Sequence, residues 1–145
     1  MSDVIIFDKP YGRVLVDAAV PCVITQWLSF ANGPDFIALQ EAALLYYEAH
    51  TTAARPWGFV GDVRHMGAIP AKAQAWLIAE FNPRATAAGL REVSVVVSDN
   101  IFGQLATQRY AQETAAARAR YELHAIYYQS VAEAKAGAKA SLAQR

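Results

Sequence analysis

Residues Trp57–Gly67 read WGFVGDVRHMG. A short apolar run ends abruptly in Asp62, Arg64 and His65, followed by Met66 and Gly67. A buried strand has this form where it surfaces and hands its side chains to a loop. Open α/β sheets place their chemistry at the carboxyl ends of strands. The segment therefore sets the fold class and marks a working edge.

Helical and extended patterns alternate on both sides of it. Upstream, Asp35–Thr52 is the longest helical pattern, with Phe36, Leu39, Ala43, Tyr46 and His50 on one face. Ile37, Leu44, Leu45 and Tyr47 widen the apolar stripe, and Arg55-Pro56 ends it. Downstream, Pro70–Phe81 repeats the pattern with Ala73, Trp76, Leu77 and Phe81. Asn82-Pro83 breaks or bends this helix, Arg84–Ala88 adds a further turn or two, and Gly89 suits a left-handed cap. Glu92–Ser98 (EVSVVVS) is the clearest buried strand. A third long helix is expected over Ile101–Ala119, with Phe102, Leu105, Ala106 and Arg109 on one face. Tyr121–Tyr128 carries a last strand, and Ser130 caps a terminal helix that frays into AKAGAKASLAQR.

Near the N-terminus, Val4–Phe7 and Arg13–Asp17 flank Lys9-Pro10-Tyr11-Gly12, which is turn chemistry, so a hairpin is expected. Cys22–Phe30 is the third strand, and Pro34 suits the first turn of the helix that follows. The order is strand, strand, strand, helix, then repeated strand–helix units. Apolar strands separated by helices pair in parallel through right-handed crossovers. The fold class is α/β: one mixed sheet with an N-terminal antiparallel hairpin and parallel strands joined by helices. Residues 1–130 form that domain, and residues 131–145 form a terminal helix and mobile tail.

Composition excludes several classes. With 145 residues the chain fits one domain, and such a chain buries roughly two thirds of its unfolded surface. At 54% apolar and 18% charged residues it is not a disordered chain. Thirteen basic and 13 acidic side chains give zero net charge without a basic stripe, which argues against nucleic acid as the partner. Cys22 is the single cysteine, so no internal disulfide forms and no oxidising compartment is implied. The segment MSDVIIFDKP lacks the basic start and long apolar run of a signal peptide. No apolar stretch approaches the ~20 residues of a membrane span. A soluble, cytoplasmic protein is expected.

The element order resembles the STAS domains, the SpoIIAA-like fold of bacterial anti-anti-sigma factors. The likeness is closest to a divergent branch of small SpoIIAA-like proteins of unassigned function. It rests on Gly61-Asp62-Val63-Arg64-His65-Met66-Gly67, Pro83-Arg84, Ala88-Gly89-Leu90 and Val95-Val96-Val97-Ser98 with Ile101-Phe102-Gly103. In STAS proteins the loop after the central strand carries a phosphorylatable serine beside an aspartate. Asp62 matches the aspartate, but no hydroxyl residue lies between Asp62 and Pro70, so the phospho-switch does not carry over. What the resemblance implies is a binding or regulatory domain that works by protein contact or with a small ligand.

Each candidate site residue has a plainer reading. Asp62 is a turn carboxylate satisfied by backbone N–H groups, which is slightly favoured, or an anionic anchor at a crevice. Arg64 and Arg84 are ion-paired to Asp62, Glu80 or Asp99, or grip an acidic ligand through their planar forks. His65 is of the residue type suited to acid–base work, yet a loop histidine beside a carboxylate is common without a function. Ser98 and Asp99, with Asn100, are explained as a helix N-cap, although such a helix start also attracts anions. Trp76, Phe81 and Phe102 are pocket or interface candidates on otherwise core-type positions. His50 and His124 lie on other elements, so no metal site is expected. No nucleophile elbow, P-loop or metalloprotease motif is present, and no catalytic residue and no cofactor are assigned.

The leading expectation is a non-enzymatic regulatory or protein-interaction domain, working as a homodimer or with a protein partner. Its surface would be the Asp62–Gly67 loop, the Trp76 helix and the Ser98–Phe102 loop. The alternative is a carrier or sensor of a small apolar or acidic ligand. A weaker alternative is an enzyme using Asp62 and His65 as an acid–base pair.

Overall fold

A computed structural model describes residues 3–97 and 123–144. They form a six-stranded mixed sheet in the order β1-β2-β3-β4-β5-β6. β1 (Val4–Lys9), β2 (Gly12–Asp17) and β3 (Cys22–Trp27) are antiparallel. β4 (Gly58–Asp62), β5 (Glu92–Val96) and β6 (His124–Tyr128) continue in parallel. The α/β class and the hairpin at one edge are as the sequence indicates. The helix expected over Ile101–Ala119, and with it Ser98, Asp99 and Phe102, lies outside the described residues.

The strands separate two cores, because successive side chains point to opposite faces. In β3, Val23 and Trp27 join the larger core, and Cys22 and Ile24 the smaller. α1 (Gly33–His50) covers the larger core together with α2 (Ala71–Trp76), a π-turn (Leu77–Phe81) and α3 (Asn82–Ala87). α4 (Val131–Ala143) covers the smaller core through Ala134 and Val131, with Ala138 lying against Gly58 of β4. The β3–β4 and β4–β5 connections both run across the face of the larger core, as parallel returns of one hand do. α4 packs on the other face, against the smaller core.

Local chemistry fixes the helix ends. Asn32 accepts a hydrogen bond from the Asp35 N–H at 2.8 Å, and Pro34 follows in the first turn of α1. Ser130 accepts from the Glu133 N–H at 3.1 Å and starts α4. At the end of α3, Gly89 has φ +109°. The Leu90 N–H bonds to the Ala85 carbonyl and the Gly89 N–H to the Thr86 carbonyl, each at 3.0 Å. This paired closure satisfies carbonyls the helix would otherwise leave open.

Three expectations are corrected. β3 stops at Trp27 rather than Phe30, because the Leu28 and Ser29 N–H groups turn to the Tyr11 carbonyl. The buried face of α1 runs through Phe36, Leu39, Gln40, Ala43, Leu44 and Tyr47, not through Tyr46 and His50. The expected stripe follows a seven-residue repeat, and a straight helix drifts by ~20° per heptad against that repeat. The Ala/Lys segment does not fray at Ala134 but stays helical to Ala143, since its small side chains let α4 lie close to the sheet.

Candidate functional site

Asp62 is the last residue of β4 and is 2% exposed. Its carboxylate accepts the Arg64 Nε–H at 2.9 Å and the Arg64 Nη2–H at 2.8 Å. The Arg64 backbone N–H adds a bond at 3.3 Å, closing a turn of the kind aspartate favours. The two-pronged geometry is the strong form of arginine–carboxylate pairing. Its hydrogen bonds to Asp62 raise the Arg64 pKa above the ordinary arginine value, against the opposing effect of burial. The plainer readings of both residues, a satisfied turn carboxylate and an ion-paired arginine, match this geometry.

Among the described candidates, His65, Arg84, Trp76 and Phe81 make no hydrogen bond with Asp62. His65 is exposed and makes no hydrogen bond to Asp62, so the proposed acid–base pair is not formed. Arg84 is on α3, where its fork holds Glu41 with two bonds of 2.8 Å and Glu48 with one of 3.0 Å. These bonds, Glu41 first, push its pKa upward and clamp α3 to α1. Phe81 is 0% exposed, so it is not an outer contact surface; it lines the cavity beside Gly61, as a pocket residue. Trp76 is half-buried against the core, its ring centroid 6.2 Å from that of Phe81. Ser98, Asp99 and Phe102 lie outside the described residues.

Space opens on the other side of β4. A half-open cavity of about 50 Å³ lies between the sheet and the helices of the larger core. Thr25, Gly61 and Val95 line it from the sheet, Gln40 from α1, and Leu77 and Phe81 from the π-turn. Val63, Met66 and Ile69 bring the Asp62 loop to its wall. Trp27 and Phe36, stacked with centroids 4.5 Å apart, also border it. Alternation along β4 puts Asp62 on the opposite face from Gly61 and Val63. Neither Arg64 nor Arg84 lines the cavity.

Two sequence features make this space. Gly61 carries no side chain, and a Cβ built there would meet only the Thr25 Oγ1, at 3.5 Å. The π-turn widens the helix ahead of Pro83, with the Asn82 N–H bonded to the Leu77 carbonyl. Proline cannot continue the regular ladder, and π-turns of this kind often sit at functional sites.

Thr25 is 2% exposed and Gln40 7% exposed. Among the described residues neither side chain has a hydrogen-bond partner. Their polar atoms are not fully enclosed, so they stay open to the half-open cavity. Sequence reading missed Thr25, Gln40 and Gly61. The available signal was Gln40, a polar residue four positions after Phe36 on an otherwise apolar face.

Among the described residues no group of His, Cys, Asp and Glu is arranged to hold a metal ion, and no helix is long and apolar enough to cross a membrane. His50 stacks on Tyr46 and bonds through Nδ1 to the Tyr46 carbonyl at 2.9 Å. No family model, curated protein or solved structure matches the chain.

Proposed function

We propose that the protein is a non-enzymatic regulatory domain of the SpoIIAA-like kind whose input is a small, largely apolar ligand. The observation that carries this reading is the half-open cavity beside Gly61. Ligand sites are concave, mostly apolar and equipped with few polar groups, and this one has Thr25 and Gln40. The sheet, with its antiparallel hairpin and parallel strands, is compatible with the SpoIIAA-like resemblance. The segment from Asp62 to Pro70 lacks a hydroxyl to phosphorylate, which leaves ligand binding as the more direct input. The acidic-ligand form of this reading loses its support, because Arg64 and Arg84 are engaged by carboxylates away from the cavity. A cytoplasmic location belongs to the same proposal and suits the single buried Cys22.

Native mass spectrometry on freshly purified, undialysed protein tests it. A reproducible added mass that disappears on denaturation is expected. A protein that is always free of ligand and takes up no small apolar molecule would refute the reading.

A second reading, contact with another protein or a second copy of this chain, is favoured by the edge strand β1. Val4, Ile5 and Ile6 are 58%, 48% and 38% exposed there, with a bulge between Ile5 and Phe7. Exposed apolar edge strands are ready pairing surfaces. Sedimentation of the wild type and Ile5→Lys tests it: an assembly lost in the variant supports contact at this edge, and a monomer in both removes it.

A further inference from the structure

We infer that the ligand of the Gly61 cavity is a short apolar chain bearing one neutral hydrogen-bonding group, an alcohol, ketone or primary amide, recognised by Thr25 and Gln40. The inference rests on the proposed ligand-binding role and adds the chemical class.

Thr25 and Gln40 reach the cavity from different elements, β3 and α1. Both are more than nine-tenths buried, and neither has a hydrogen-bond partner among the described residues. A hydroxyl gives one donor and two acceptor positions, and an amide gives donors and an acceptor. Together they can satisfy a group that donates, accepts or does both. The other described residues of the wall are apolar, including Phe81, Leu77, Val95 and Met66. A ligand without a polar group would leave both side chains unpaired, and sites built to hydrogen-bond discriminate strongly against such analogues.

Charge narrows the class further. Among the described residues no lysine, arginine or histidine lines the cavity. An ionised carboxylate or phosphate placed there would lose its hydration without a counter-charge, which is costly. Size sets the other limit. A water needs roughly 10–15 Å³ of such volume, so a cavity of about 50 Å³ takes several water-sized groups and the remainder of a ligand extends through the open side. Water is the competing occupant, since the site is polar at two points and roomy enough to hold it.

Amide-resolved NMR titration of the whole chain with 1-butanol, n-pentane and butyrate tests this, on wild type and on Thr25→Val/Gln40→Leu. Both replacements are close in shape and remove polar groups without creating unpaired ones. The expected result is localised, saturable shifts around the cavity, with 1-butanol about tenfold tighter than n-pentane and butyrate weakest. In the double variant that order should reverse in favour of n-pentane. n-Pentane binding as tightly as 1-butanol in the wild type would overturn the chemical class and leave ligand binding intact, as would butyrate binding tightest. An unchanged preference in the folded double variant would overturn the roles of Thr25 and Gln40. No localised shift with any of the three means the cavity holds water only, which overturns both the inference and the proposed function.

Discussion

Thr25 and Gly61 lie directly across from one another in the β3–β4 ladder, and Gly61 presents bare backbone to the cavity that Thr25 also lines. One residue further along, the register pairs Gln26 with Asp62 on the opposite face. The two faces of one strand end thus carry different things: a closed carboxylate–arginine pair on one, an open apolar space on the other.

Gly61→Ala should leave the protein folded and raise its stability by about 0.4–1 kcal/mol, because the added methyl restricts the unfolded chain and meets no obstacle. Chemical denaturation checks this. A loss of more than about 1 kcal/mol would show that the space beside Thr25 is already filled.

Asp62→Ala should destabilise the fold by about 1–3 kcal/mol, since it removes a buried acceptor of three hydrogen bonds from Arg64. Because Asp62 is on the other face, ligand uptake by the variant that remains folded should stay close to that of the wild type. Denaturation and titration in parallel separate the two effects. Arg84→Met should cost less, about 1 kcal/mol at most, because its bonds to Glu41 and Glu48 are partly solvated.

Cys22 is fully buried between the sheet and α4, and burial, before any charge, pushes its thiol pKa up to about 12. The thiolate is the reactive form. A thiol reagent at neutral pH should label Cys22 only as fast as the protein opens, with labelling accelerated by denaturant. Stoichiometric labelling of the native protein within seconds would contradict this packing.

Lys135 on α4 donates to Asp17 at 2.9 Å and to Asp3 at 2.6 Å, fastening the helix to the hairpin edge. Burial works against both charges, but the hydrogen bonds outweigh it, so the Asp17 pKa is lowered and the Lys135 pKa raised. The Asp17 contribution is present above the unfolded aspartate pKa of about 3.9 and is lost as pH falls through the lowered folded value. The Lys135 contribution is present below the unfolded lysine pKa of about 10.4 and is lost as pH rises through the raised folded value. Lys135→Met should therefore be less stable than the wild type across the intervening range, with the gap closing at both extremes. A gap independent of pH in denaturation series would contradict the pairing.

How much was legible in the sequence follows from the range of each interaction. The hairpin around Lys9-Pro10-Tyr11-Gly12, the cap at Gly89 and the strand ending at Asp62 are local, and local residue types carry them. The Asp62–Arg64 pair is equally local, two residues apart. The Arg84 clamp depends on α3 crossing α1 at Glu41, 43 residues away, and no local pattern announces that. The cavity is less legible still. It needs the register that sets Thr25 against Gly61, the helical drift that turns Gln40 inward, and the π-turn that places Leu77 and Phe81 opposite them.

The most direct test of the ligand site is an NMR titration of the wild type and Gly61→Ala side by side with 1-butanol. Saturable shifts confined to the amides around Thr25, Gln40, Gly61 and Val63 are expected in the wild type, with binding weakened about tenfold in the variant. Equal binding by the two proteins, or shifts that fail to saturate and are spread over the surface, would contradict the assignment of the Gly61 cavity as the ligand site.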